Sequence, residues 1–134
     1  ILLGVDLIKS ADIVLPAYND SEGITAAFNM NLLTRINKEF DGNFEIKNWS
    51  HAPVYTKQEG IAKSYIKSEI KQEVHLSALD KTFSFEAGEL IHTEISRKYN
   101  DSIIKKLLIG TDIVINNKLM DSNGYFADYV LVRE

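Results

Sequence analysis

The chain has 134 residues, 45% of them hydrophobic, and its formal net charge of −4 is spread among interleaved Lys and Glu; with no basic face to neutralise a phosphate backbone, nucleic acid is not an expected partner. It has no cysteine, so a disulfide framework and a thiolate metal site are both excluded, and no apolar run approaches the roughly 20 residues that span a bilayer. A chain of this size can bury roughly two-thirds of the surface its unfolded form exposes, enough for one compact unit or two small lobes, and the expected setting is soluble and cytoplasmic.

The first element is an apolar run, Ile1-Leu2-Leu3-Gly4-Val5-Asp6-Leu7-Ile8, with no initiator Met and no basic flank, so it reads neither as a signal peptide nor as a natural beginning. Its composition predicts a strand buried on both faces of a mostly parallel sheet, with Asp6 and Lys9 at the polar carboxyl end. Ser10 is the expected N-cap of a short helix ending near Asn19, and Asp12 suits its first turn. Ser21 is placed to cap a second helix, in which Ile24, Ala27, Phe28, Asn31, Leu32, Arg35 and Ile36 recur at helical spacing until Asp41-Gly42-Asn43 stops it.

From His51 the period changes to two. Ala62, Ser64, Ile66 and Ser68 fall on one face of a strand and Ile61, Lys63, Tyr65 and Lys67 on the other, after a turn at Gln58-Glu59-Gly60. Glu73 to Leu79, Thr82 to Glu86 and Glu89 to Ser96 continue the pattern, which predicts an antiparallel meander packed on the long helix by Trp49, Tyr55 and Tyr65. Asn100 or Asp101 then caps a helix containing Ile103, Ile104, Leu107 and Leu108, which Gly110 ends. Thr111 to Leu119 and Tyr125 to Val132 form a hairpin around Asp121-Ser122-Asn123-Gly124.

Ala17-Tyr18-Asn19-Asp20-Ser21-Glu22-Gly23-Ile24-Thr25-Ala26-Ala27-Phe28-Asn29-Met30-Asn31-Leu32-Leu33, with Ile91-His92-Thr93-Glu94-Ile95-Ser96 downstream, resembles the C-terminal half of the histidine-specific, S-adenosylmethionine-dependent N-alpha-methyltransferases of the ergothioneine-biosynthesis type. The likeness runs nearly end to end, from Gly4-Val5-Asp6-Leu7-Ile8-Lys9 to Arg97-Lys98-Tyr99. It implies an α/β fold in which about 1–9 and 97–134 are terminal strands and the last helix of a Rossmann-like sheet, while about 10–96 is an inserted substrate-binding domain. S-adenosylmethionine is the implied cofactor. A methyltransferase needs a Gly-rich loop after its first strand, and no two of the seven glycines lie close enough to make one. The expectation is therefore a C-terminal fragment carrying part of the substrate site, inactive alone and prone to associate with its N-terminal part or with itself. The alternative is a stand-alone small-molecule-binding or interaction module without catalysis.

Methyl transfer to an amine is an in-line displacement, so the site must orient the amine and keep its lone pair free; it calls for hydrogen-bond anchors rather than a nucleophile or a metal. Glu94 and Ser96, two apart on one strand, share a face. The resemblance implies that the carboxylate accepts from one nitrogen of a substrate imidazole and the hydroxyl engages the other. Spacing alone favours two solvated residues, since most Glu side chains are exposed; the shared motif favours the site. Tyr18 is implied to engage the backbone of an amino-acid substrate, against the ordinary alternative of a core tyrosine. Asn19, Asp20, Gly23, Thr25, Asn29 and Asn31 read as capping and loop-fixing residues.

Ser64 departs from the family pattern. Where relatives usually carry Ile-Glu-Met, with the methionine packing on the imidazole, this chain has Ala62-Lys63-Ser64, and a hydroxyl in place of a thioether changes the volume and polarity of the ring pocket. The histidines His51, His75 and His92 show no metal-binding spacing. His92 is expected on the same face as Glu94 and Ser96, in a structural role.

Overall fold

A computed structural model describes residues 1–134. In chain order the elements are β1 (Leu2–Asp6), α1 (Ala11–Tyr18), α2 (Ile24–Phe40), β2 (Trp49–Thr56), β3 (Ile61–Ser68), β4 (Gln72–Leu76), β5 (Lys81–Phe85), β6 (Leu90–Arg97), α3 (Asp101–Leu107), β7 (Ile113–Met120) and β8 (Phe126–Arg133). This is a mixed α/β architecture with antiparallel sheets. The strands make three of them, ordered β1-β8-β7, β2-β3-β6 and β4-β5.

The expected single meander is thus divided: β3 pairs with β6, while β4 and β5 form a separate hairpin. The reason is packing. Val74 and Leu76 of β4 and partly buried Phe85 of β5 turn into a core with Leu33, Phe44, Trp49 and Ile66, where Trp49 meets Phe85 edge to face at 5.0 Å. Leaving the sheet places the hairpin's aromatic residue against Trp49 and opens the β3 edge to β6.

The first strand also differs from expectation. Its apolar run is antiparallel to β8, and along Leu2–Asp6 that is its one strand neighbour; a single parallel bridge joins Leu7 to Tyr99. Val5 and Leu7 face a second core with Ile104, Ala127, Tyr129 and Leu131. Ile1 and Leu2, by contrast, are 73% and 69% exposed.

Helix α2 buries Asn29 and Leu33, with Met30, Ile36 and Phe40 partly covered, whereas Ile24 and Phe28 of the expected stripe are exposed. The buried face of the helix thus runs through Asn29 and Leu33 rather than through Ile24 and Phe28. The Asp20 carboxylate accepts from the amides of Ile24 and Thr25, both at 2.8 Å, so Asp20, rather than Ser21, satisfies the helix N-terminus. Ser10 takes the N-cap position of α1 without a side-chain hydrogen bond, and Asn100 caps α3 by accepting from Ile103 N.

The two cores meet at the ends of β1 and β6. Ile8 N donates to Tyr99 O, Tyr99 N to Asp6 O, and Lys98 N to Gly60 O. Gly60 has φ +65, and a Cβ there would lie 2.8 Å from the Lys98 carbonyl and 2.7 Å from Ile8. Both the turn and the close approach require glycine.

Candidate functional site

Helices α1 and α2 cover one face of the β2-β3-β6 sheet, and strand register decides what lies beneath them. Along β3, Ala62, Ser64, Ile66 and Ser68 are all buried, as the period-two spacing predicts. Across the sheet Ser64 stands opposite Pro53 on β2 and Glu94 on β6, and Ala62 opposite Ser96. Glu94 and Ser96 thus flank the covered face of β3, both only partly exposed.

A β-bulge alters the rest of β6. Ser64 pairs with Glu94 but Tyr65 pairs with His92, leaving Thr93 as the extra residue. This shifts the face on which His92 lies: its ring packs on Tyr65 with centroids 5.1 Å apart, and its Nε2 lies 2.9 Å from the Glu94 carbonyl. His92 therefore does not share the face of Glu94 and Ser96, and Tyr65 packs on His92 rather than on the long helix. The bulged Thr93 turns inward, its hydroxyl donating to Asn29 Oδ1 at 2.6 Å and lying 3.0 Å from the Ser64 carbonyl. Asn29 in turn donates to Thr25 O, so a buried amide on α2 locks the helix to the bulge. Beside this lock Glu94 lines a cleft of about 260 Å³ with Phe28, Asn31, Leu32 and Arg35. Part of the set that recurs at helical spacing along α2 thus walls the cleft.

Tyr18 and Ser96 meet through a residue the sequence reading did not single out. Lys98 is 6% exposed, and its ammonium donates to Tyr18 Oη at 2.7 Å and Ser96 Oγ at 3.2 Å while pairing with Asp6 Oδ2 at 2.8 Å. It lies 5.0 Å from the Tyr18 ring centre. Burial pushes the ammonium pKa down, but the Asp6 and Tyr18 partners outweigh it and hold the pKa above its ordinary value. Burial likewise raises the Asp6 carboxyl, and hydrogen bonds from Lys9 and Lys98 reverse that into a net lowering. Both groups are charged near neutral pH. Lys9 also pairs with Asp6.

His51 on β2 stands opposite Ile66, and both its ring nitrogens, like Ser64 Oγ, are buried without a protein partner. Burial lowers the His51 pKa against the opposing pull of Glu94 and Asp20, so the imidazole is neutral. Unpaired buried polar atoms are costly, and in a native protein each calls for an explanation. Here they lie on the face that also carries Glu94 and Ser96. The even spacing of His51 with Trp49 was the available signal, hidden because the strand begins at Trp49 rather than at His51. His75 lies apart, its Nδ1 3.0 Å from Thr82 Oγ1 on the β4-β5 hairpin. No cluster of three or more His, Asp or Glu side chains is arranged to hold a metal ion, and no helix is long and apolar enough to cross a membrane.

The arrangement presents an acceptor-only carboxylate, two hydroxyls tied to one cation, and buried polar atoms, without a nucleophile–base pair. It is equipped to hold and orient a small polar molecule. A family model described as histidine-specific, SAM-dependent methyltransferase matches residues 1–133. The chain is 36% identical over 104 residues to histidine N-alpha-methyltransferase of Mycobacterium tuberculosis (strain CDC 1551 / Oshkosh), a match covering 78% of this chain and 32% of that protein. It is 33% identical over 108 residues to histidine N-alpha-methyltransferase of Mycolicibacterium smegmatis, covering 80% and 34%. With ergothioneine biosynthesis protein 1 of Schizosaccharomyces pombe it shares 27% identity over 135 residues, covering 100% of the chain and 17% of that protein. These matches span about a third of the mycobacterial relatives' length. The chain belongs to the histidine-specific, SAM-dependent methyltransferase family.

Proposed function

We propose, from that membership, that the chain is the C-terminal, substrate-reading portion of an S-adenosylmethionine-dependent N-methyltransferase whose acceptor is an amino acid such as histidine. In this reading residues 10–96 form the substrate-binding domain, and 1–9 with 97–134 belong to a Rossmann-like methyltransferase domain completed by further sequence. Glu94 accepts from a ring N–H of the substrate, Ser96 engages the other ring nitrogen, Tyr18 takes the amino-acid backbone, and Ser64 borders the ring. The observation that carries the reading is the common placement of these groups: Glu94 and Ser96 flank the buried face of β3, and one buried ammonium joins Ser96 to Tyr18.

S-adenosylmethionine supplies the methyl group. Gly4 lies within β1 and the other six glycines lie apart from one another in the chain, so these residues do not compose the Gly-rich cradle that such a cofactor requires. What these residues contribute is orientation. Fixing the acceptor amine at attack distance converts the transfer into an effectively intramolecular step, and anchors that contact the ring and carboxylate leave the amine lone pair free.

The exposed Ile1 and Leu2 at the free edge of β1, with exposed Phe126 and Val132 on the neighbouring β8, fit association with the N-terminal part of the enzyme or with a second copy. The setting consistent with the function is cytoplasmic.

The test is methyl transfer and histidine binding by the complete polypeptide, wild type against Glu94→Ala. A lost hydrogen bond to a charged group weakens binding by about 1.5–3 kcal/mol, and the thermal midpoint should stay near wild type because Glu94 has no side-chain partner in the fold. Unchanged affinity and rate across a panel of amino acids and imidazole-containing amines would falsify the assignment of β6 to the substrate site.

A further inference from the structure

We propose that Lys98 is a positioning residue that turns the Tyr18 and Ser96 hydroxyls into donors facing the substrate, so that the site selects an amino acid with a free carboxylate and an uncharged ring nitrogen. The proposal rests on the substrate-site reading above and adds the polarity of its hydrogen bonds.

An ammonium has three N–H donors and no acceptor. Here the three nearest oxygens are Asp6 Oδ2, Tyr18 Oη and Ser96 Oγ, at 2.8, 2.7 and 3.2 Å, so each donor has a recipient. A hydroxyl that accepts from a cation has a lone pair engaged on that side, and its own hydrogen turns away from the positive charge. Both hydroxyls therefore present O–H to whatever occupies the site. Glu94, which accepts only, presents the opposite polarity. The complementary ligand has one N–H donor for Glu94 and two acceptors, one for each hydroxyl.

A carboxylate suits Tyr18, because the ammonium behind the phenol adds attraction for an anion. A ring-nitrogen lone pair suits Ser96. A ring carrying a proton on both nitrogens meets a donor where it needs an acceptor, with a cation 3.2 Å behind that donor, and is disfavoured. Asp6 holds the ammonium from the opposite side, across the junction between the two cores. Three features support positioning over surface pairing: the ammonium is nearly inaccessible, its partners come from three separate elements, and the two hydroxyls have no other side-chain partner. Sequence could not reveal this, because Asp6 and Tyr18 lie far upstream of Lys98.

The experiment measures, by calorimetry on the complete polypeptide, dissociation constants for histidine and for its decarboxylated analogue, with folding checked by thermal melts. The analogue lacks the carboxylate assigned to Tyr18. Lys98→Met should weaken histidine on the order of tenfold and the analogue much less, so that the ratio between the two ligands collapses. A merely structural role would weaken both ligands by one factor, and a ratio held at the wild-type value overturns the proposal. If Lys98→Met does not fold, Lys98→Gln decides, since it removes the positive charge behind both hydroxyls and keeps a side chain of similar length with a polar end: a reduced ratio supports the proposal and a wild-type ratio overturns it. Tyr18→Phe and Ser96→Ala separate the two levels of the argument. If neither changes histidine affinity, the substrate-site reading itself fails; if both weaken it while the ratio in Lys98→Met is intact, only the role of Lys98 fails.

Discussion

β3 and β1 are both apolar-rich strands, and they meet different fates. In β3 small or apolar residues alternate with Ile61, Lys63, Tyr65 and Lys67, and burial follows the same alternation along its whole length, with Ser64, Ile66 and Ser68 fully inaccessible. In β1 the apolar run is continuous, yet only Val5 is buried and Leu2 is 69% exposed. Alternation is a statement about two faces, and one neighbouring layer satisfies it. A continuous run requires cover on both faces. Here α3 covers one, through Ile104, while Leu2 and Gly4 on the other stay exposed.

The comparison is sharpest where the largest effect is expected. Ile66→Ala removes a side chain with 0% exposure from the core beneath α2 and should cost about 2–5 kcal/mol in chemical denaturation. Leu2→Ala, measured on the same chain, should stay within about 0.5 kcal/mol. A comparable loss at Leu2 would show that β1 is covered in solution by another copy, and the loss would then vary with protein concentration.

The two strands touch through Gly60, the turn residue just before β3, which packs on Ile8 just beyond β1. Gly60→Ala forces a side chain into φ +65 with heavy atoms at 2.7 to 2.8 Å, so the expected destabilisation is about 2–4 kcal/mol. Two unfolding transitions in place of one would show the two cores uncoupling at this turn, whereas a melt indistinguishable from wild type would mean that the contact is absent in solution.

A smaller effect concerns the helix that covers β3. Bonds from Thr25 and Ile24 hold the Asp20 carboxyl at about 2, below its ordinary 3.8. Because the folded value is depressed, the stabilisation is present above the ordinary value and disappears as pH falls through about 2. Asp20→Ala should lower the thermal midpoint near neutral pH, and the gap from wild type should close through that acid window. A gap independent of pH would mean that Asp20 acts without its charge.

Element positions, turn glycines and the alternating face of β3 were legible because each depends on neighbours within a few residues. Glu94 and Ser96 share a face as their spacing predicts, since the strand is regular between them. His92 does not, because an inserted residue at Thr93 resets the register, and nothing in Ile91-His92-Thr93-Glu94 marks the bulge. The buried face of α2 is not legible in the sequence for a related reason. Its Thr25, Asn29, Leu33 and Ile36 make as good a helical stripe as Ile24, Phe28, Leu32 and Arg35, and burying an asparagine is favourable only once Thr93 and the Thr25 carbonyl are in place to satisfy it.

The sequence by itself determined the order of strands and helices, the family to which the chain belongs, and the side-chain chemistry available at Tyr18, Ser64, Glu94 and Ser96. The tertiary structure alone decided that β6 leaves β5 for β3, that His51 lies beneath the helices with unpartnered nitrogens, and that Lys98 binds Asp6, Tyr18 and Ser96 at once. Periodicity and turn chemistry act over one or two turns of chain and leave their trace in local order. Pairing between distant strands and the burial of a charge are set by the joint free energy of residues far apart in sequence; a lysine in Arg97-Lys98-Tyr99 reads as a solvated surface residue until the fold brings a carboxylate from β1 to meet it.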